Sequence, residues 1–123
     1  MNGRSLVLIA DDDADILSLV KAVLERSGYE VVAATDGAEA LASVRARKPD
    51  LAVLDIAMPE VDGLEVLRRL RADPTTSELP VVLLSARAQE ADVERGFAIG
   101  ASAYLKKPFS PRELSEHVAE LLR

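Results

Sequence analysis

The stretch Leu6-Val7-Leu8-Ile9-Ala10-Asp11-Asp12-Asp13 joins a short, unbroken apolar run to three consecutive carboxylates. An apolar run of this length without period-two alternation reads as a strand buried on both faces, the habit of a parallel sheet. The same form recurs in Val31-Val32-Ala33-Ala34, Leu51-Ala52-Val53-Leu54 and Val81-Val82-Leu83-Leu84, with Ala103-Tyr104-Leu105 a weaker fifth. Between the runs lie stretches of helical period. Ile16, Val20, Val23 and Leu24 share one face within 14–27, and Ala38, Leu41, Ala42 and Val44 fall within 37–47. Leu64, Leu67 and Leu70 fall within 63–72, Val93 and Phe97 within 90–99, and Leu114, Val118, Leu121 and Leu122 close the chain. Ser110-Pro111-Arg112-Glu113 combines an N-cap serine, proline at the first helical position and glutamate three residues after the cap. Asp36 with Glu39 and Asp62 with Glu65 follow the same capping logic. Alternating strands and helices predict a single α/β domain over residues 1–123, with five parallel strands, five helices and right-handed crossovers that cover both faces of the sheet.

Composition narrows the chemistry. Fifteen Lys+Arg stand against 21 Asp+Glu, a net charge of -6, which argues against the basic face of a nucleic-acid-binding module. The absence of cysteine removes disulfides, thiol catalysis and Cys-based zinc sites, and a lone His117 removes a histidine metal cluster. No apolar run approaches the roughly 20 residues that span a bilayer. Met1-Asn2-Gly3-Arg4 leads into a short apolar run ended by aspartates, unlike a signal peptide. The expectation is a cytoplasmic protein whose chemistry comes from carboxylates, hydroxyls, lysines and arginines.

The polar residues fall where the predicted strands end. The first strand runs into Asp11-Asp12-Asp13, the third into Asp55, the fourth into Ser85 and the fifth into Lys106-Lys107. The carboxyl ends of parallel strands share one edge of the sheet, and ligands bind outside that edge where the strand order reverses. The second strand ends in Ala34-Thr35, as expected of an outer strand away from the crevice. Clustered carboxylates repel unless a cation joins them. An all-oxygen set suits a hard cation such as Mg²⁺, and a carboxylate can itself be the nucleophile that forms an aspartyl phosphate. Phosphoryl chemistry on an aspartate is therefore the leading expectation.

The strings Ile9-Ala10-Asp11-Asp12-Asp13, Leu54-Asp55-Ile56-Ala57-Met58-Pro59-Glu60-Val61-Asp62-Gly63, Val82-Leu83-Leu84-Ser85-Ala86 and Tyr104-Leu105-Lys106-Lys107-Pro108-Phe109 closely resemble the receiver domain of bacterial response regulators. The resemblance runs from about Leu6 to the last helix, with every motif in order. It implies a flavodoxin-like, doubly wound sheet of order 2-1-3-4-5. It also implies a phosphoacceptor switch of two-component signalling, and not a turnover enzyme. Asp55 would take a phosphoryl group from a phosphohistidine on a sensor kinase or phosphotransfer protein. Asp11, Asp12, Asp55 and the Ala57 backbone carbonyl would hold Mg²⁺, with Asp12 the more direct of the acidic pair. Lys107 would contact the phosphoryl oxygens, and the Lys107-Pro108 peptide would be cis. Ser85 would donate its hydroxyl to the phosphoryl group, Tyr104 would change rotamer in response, and small Ala86 would leave the site open. The face formed by the fourth helix, fifth strand and fifth helix would then act on a partner or output domain. Two positions depart from common family patterns. Small Ala57, with Arg87 two residues after Ser85, would tune hydrolysis of the acyl phosphate. Ser102-Ala103 replaces an acidic pair found in receivers attached to winged-helix domains, which speaks against their dimer and leaves room for a different homodimer.

Other readings compete for some of these residues. Asp13 and Asp15 read as caps of the first helix. An EF-hand is excluded, because Ile16 stands where glycine is needed and Ala22 where the bidentate glutamate belongs. Asp62-Gly63 reads as a turn and helix start, Lys106 as a solvated neighbour and His117 as a surface residue. An aspartate-dependent phosphatase or phosphotransferase of the haloacid dehalogenase type would use Asp11 and Asp13 after the first strand in place of Asp55. A flavodoxin-like cofactor carrier would need a phosphate-binding loop where this chain has three acids.

Overall fold

The computed structural model describes residues 4–86 and 90–123. The chain alternates β1 (Leu6–Ala10), α1 (Ala14–Arg26), β2 (Glu30–Ala34), α2 (Gly37–Arg47) and β3 (Leu51–Asp55). It continues through α3 (Gly63–Ala72), β4 (Val81–Ser85), α4 (Glu90–Ile99), β5 (Ala103–Lys106) and α5 (Pro111–Leu121). The strands form one parallel sheet of order β2-β1-β3-β4-β5, as the resemblance implied. The order reverses between β1 and β3, so their carboxyl ends flank the crevice.

Side-chain alternation along the strands divides the core into two layers. Leu8, Ala10, Leu54 and Leu83 pack with Leu41, Val44, Leu67 and Leu70 under α2 and α3. Val7, Ile9, Val53, Val82 and Leu84 pack with Val20, Leu24, Leu114 and Val118 under α1 and α5. Both faces of β3 and β4 are buried throughout, which is why those strands read as continuous apolar runs. β2 differs: as an edge strand it buries only Ala34 fully, and its other side chains are part or wholly exposed.

Four helices start as the capping residues predict. Asp13 accepts the N–H groups of Asp15 and Ile16, Asp36 that of Glu39, and Asp62 that of Glu65. Ser110 and Glu113 complete a reciprocal capping box, with Pro111 at the first helical position. Two details of the helical faces differ from the sequence pattern. The buried stripe of α2 runs through Gly37, Ala40, Leu41 and Val44, leaving Ala38 and Ala42 exposed on the neighbouring stripe. On α4 the buried position is Gly96, which approaches Leu83 and Tyr104, so the adjacent Phe97 turns outward and is 48% exposed.

Candidate functional site

Strand ends bring the predicted acids together. Asp11 follows β1 and is fully buried, Asp55 ends β3 and is 3% exposed, and Asp12 is exposed at the rim. One ligand oxygen from each lies within 4.8 Å of the others. Two buried carboxylates at the end of an apolar layer need compensation, and the neighbouring elements supply it. The Asp13 N–H donates to Asp11 Oδ1 at 2.9 Å. Lys107, just beyond β5, places Nζ 2.9 Å from Asp11 Oδ2 and 3.3 Å from Asp55 Oδ1. The Ala57 N–H hydrogen-bonds the Asp55 carboxylate from the following loop.

Compensation is incomplete. Burial, and next the Asp11 charge, push the Asp55 carboxyl up to about 6 against the opposing pull of Lys107. For Lys107, burial works against the charged form. The hydrogen bond to Asp11 and the charge of Asp55 outweigh it, so the ammonium titrates above its ordinary value. The site thus carries more negative charge than its one lysine offsets. Its donors are all oxygens, which fits a hard divalent cation bound by carboxylates and a carbonyl.

Backbone contacts set the positions of these groups. The Ile56 N–H donates to the Leu84 carbonyl at 2.9 Å and the Lys107 N–H to the Ser85 carbonyl at 2.7 Å, so the ends of β3, β4 and β5 are tied across. The Lys107-Pro108 peptide is cis. Ser85 is buried at the end of β4, beside Lys106 in register. Tyr104 is half-buried, pairs in register with Leu83, and lies on the α2–α3–α4 side of the sheet. Ala86 is exposed beside the site, and Arg87 lies outside the described residues. Asp13 caps α1, Lys106 is exposed and His117 is half-buried on α5.

Close approaches of backbone were not evident from the sequence motifs. A Cβ on Gly63 would lie 2.3 Å from the Asp55 carbonyl oxygen, so α3 begins directly against the backbone of the buried aspartate. Gly37 meets the loop between β3 and α3 in the same way. Asp-Gly pairs at 36–37 and 62–63 are the only local signal of these contacts, and they also serve as ordinary helix starts.

Known proteins resemble this chain in sequence and in fold. The family model for the response regulator receiver domain matches residues 7–119. The alkaline phosphatase synthesis transcriptional regulatory protein PhoP of Bacillus subtilis is 44% identical over 117 residues, which are 95% of this chain and 48% of that protein. The phosphate regulon transcriptional regulatory protein PhoB of Pseudomonas aeruginosa is 40% identical over 117 residues, 95% of this chain and 51% of that one. The chain therefore spans about half the length of the curated relatives it matches. Among solved structures, the chemotaxis protein CheY4 of Vibrio cholerae superposes with a TM-score of 0.92 at 32% identity, covering 98% of this chain and 100% of that one. The Francisella response regulator 1452 receiver domain gives 0.91 at 36% identity, covering 97% of both chains. Fold, site and sequence agree: this chain belongs to the response regulator receiver domain family.

Proposed function

We propose that residues 1–123 form a receiver domain that takes a phosphoryl group onto Asp55 from a phosphohistidine of a sensor kinase or phosphotransfer protein. The observation that carries this reading is the Asp55 carboxylate itself, buried at the sheet edge with Lys107 Nζ 3.3 Å away and two further acids beside it. In the transfer, an Asp55 oxygen attacks phosphorus, a new O–P bond forms, and the N–P bond breaks with its electron pair returning to the imidazole. Asp11, Asp12, Asp55 and the Ala57 carbonyl would hold Mg²⁺, which when bound supplies positive charge against the phosphoryl oxygens. Lys107 offsets charge at the same oxygens, from a position already within reach of both buried aspartates.

The switch uses groups at the adjacent strand ends. A phosphoryl group adds up to about two negative charges and strong acceptor oxygens. Ser85 donates to one of them, and Tyr104 moves toward the space Ser85 leaves. The face of α4, β5 and α5 then shifts between two pre-existing arrangements to act on an effector protein or output domain. Water hydrolyses the acyl phosphate, with Ala57 and Arg87 tuning the rate. The domain assists these steps on itself and does not turn over an external substrate. No described helix is long and apolar enough to cross a membrane, which is compatible with work in the cytoplasm. An open, largely apolar groove lined by Ile16, Leu19, Pro108 and Phe109 lies beside Lys107, where a donor protein would dock. A phosphatase using Asp11 as nucleophile is less well supported, since the Asp11 side chain is completely enclosed while that of Asp55 keeps 5% of its surface open.

Incubation with a small phosphodonor and Mg²⁺, followed by intact mass, tests the proposal. The parent gains one phosphoryl group and Asp55→Asn gains none. An unmodified parent, or undiminished modification of the variant, contradicts it.

A further inference from the structure

We propose that Gly37, in the first turn of α2, is a positioning residue for the phosphoacceptor site. Lacking a side chain, it lets α2 seat against the Val61 carbonyl and thereby fixes the loop that carries Ala57. This inference rests on the function proposed above. Gly37 is buried, and a Cβ there would lie 2.0 Å from the Val61 oxygen and 2.8 Å from both the Val61 carbonyl carbon and its Cβ. Two of those atoms are backbone and cannot rotate aside. Relief to a tolerable 3.0 Å needs a displacement of about 1 Å.

What holds each side decides which one yields. The first turn of α2 is tied down by Asp36 Oδ1, which accepts the Glu39 N–H at 2.8 Å, and by the Glu39 carboxylate, which accepts the Thr35 N–H. Ala40 and Leu41 anchor that turn in the core. The loop between β3 and α3 is held by turns of its own and by one core anchor, Met58, with Ala57, Pro59 and Glu60 exposed around it. Met58 and Gly63 both donate to the Ile56 carbonyl at 3.0 Å, Val61 donates to the Pro59 carbonyl at 2.8 Å, and Glu60 takes the left-handed φ of 64°. A push on Val61 is therefore passed along the loop. At one end Gly63 is wedged against the Asp55 carbonyl, leaving little room there. The other direction leads through exposed Glu60 and Pro59 to Met58 and on to Ala57, whose N–H bonds the Asp55 carboxylate. A misplacement of about 1 Å at a reacting group costs on the order of 100-fold in rate. Gly37 touches none of the reacting atoms and acts only through this loop.

The test compares the full chain with Gly37→Ala and with Gly28→Ala. Gly28 has a φ of +97° and nothing within 4 Å of an added Cβ, so its variant is strained at a turn remote from the acids. Three quantities are read: the phosphorylation rate with phosphoramidate and Mg²⁺ by intact mass, the Mg²⁺ dissociation constant by calorimetry, and the melting temperature. Gly37→Ala is expected to slow phosphorylation at least tenfold and weaken Mg²⁺ binding several-fold. Gly28→Ala is expected to melt lower at the parental rate and affinity. A Gly37→Ala protein that melts lower but keeps the parental rate and Mg²⁺ affinity overturns the proposal, because α2 has then yielded in place of the loop. Should Gly37→Ala fail to fold in buffer, the same rate and Mg²⁺ affinity are read for parent and variant in trimethylamine N-oxide, which favours the compact state. A slower variant that binds Mg²⁺ more weakly there supports the proposal, and the parent's rate and affinity overturn it. A parent that takes up no phosphoryl group contradicts the proposed function, and the Mg²⁺ affinities then decide the role of Gly37 alone.

Discussion

Replacing Asp55 with asparagine is expected to stabilise the metal-free protein above neutral pH. The carboxyl is pushed from 3.8 up to about 6, first by burial and then by the charge of Asp11, with Lys107 opposing. A carboxyl raised in this way binds its proton more tightly folded than unfolded. The folded state thus holds the extra proton between about pH 4 and pH 6, and stability falls as pH climbs through that window. The shift of roughly two units, at about 1.36 kcal/mol each, caps the penalty near 3 kcal/mol at pH 8. Asparagine escapes that penalty but gives up the Lys107 ion pair, and its single amide oxygen replaces two carboxylate oxygens as acceptor for the Lys107 and Ala57 donors. A net gain of about 1–2 kcal/mol follows, or roughly 3–6 °C in melting temperature per kcal/mol for a domain of this size. The assay is urea or thermal unfolding of parent and variant in a chelator, at pH 8 and pH 4.5. The variant is predicted to lead at pH 8 and the gap to shrink at pH 4.5. Added Mg²⁺ should also narrow it by stabilising the parent. A variant less stable than the parent at pH 8, or a gap independent of pH, would refute the electrostatic reasoning.

Other substitutions probe separate parts of the structure. Lys107→Ala strips the cation from two buried carboxylates and should cost about 2–4 kcal/mol without metal at pH 8, measured by urea unfolding. Mg²⁺ should still bind it and recover part of the loss. Because the Lys107 pKa is raised, its ion pairing contributes fully from above the Asp55 value of about 6 up to pH 10.5, and fades at the alkaline end only as pH rises through the higher folded value. Gly63→Ala would bring a Cβ to 2.3 Å from the Asp55 carbonyl, and is expected to lower both the unfolding midpoint and the phosphorylation rate. Ser110→Ala removes one half of the α5 capping box and should cost about 1 kcal/mol in thermal unfolding, leaving the phosphorylation rate unchanged.

Much of the fold was legible because burial on both faces of β1, β3 and β4 erases the usual strand alternation. Short apolar runs such as Leu51-Ala52-Val53-Leu54 therefore mark the central strands directly. Helix starts were legible because Asp13, Asp36, Asp62 and Ser110 act on N–H groups two or three residues away. The acid cluster followed from strand direction alone: parallel strands that each end in a polar residue must present those residues at one edge. Contacts set by the approach of distant elements were not legible. Phe97 carries the helical period of α4 yet faces outward, because Gly96 brings its neighbouring stripe onto Leu83. Likewise no local pattern pairs Gly37 with Val61, which meet only once α2 packs beside the loop. The double engagement of Lys107 with Asp11 and Asp55 depends on the path of the chain after β5.

The central claim is that Asp55 is the residue that receives the phosphoryl group. An acyl phosphate is reduced by borohydride to the corresponding alcohol, so treating the phosphorylated protein and sequencing its peptides by tandem mass spectrometry reads the acceptor position directly. The account predicts homoserine at position 55 and aspartate at positions 11, 12 and 13. Homoserine at any of those three positions, or none in a protein that has gained a phosphoryl group, would contradict it.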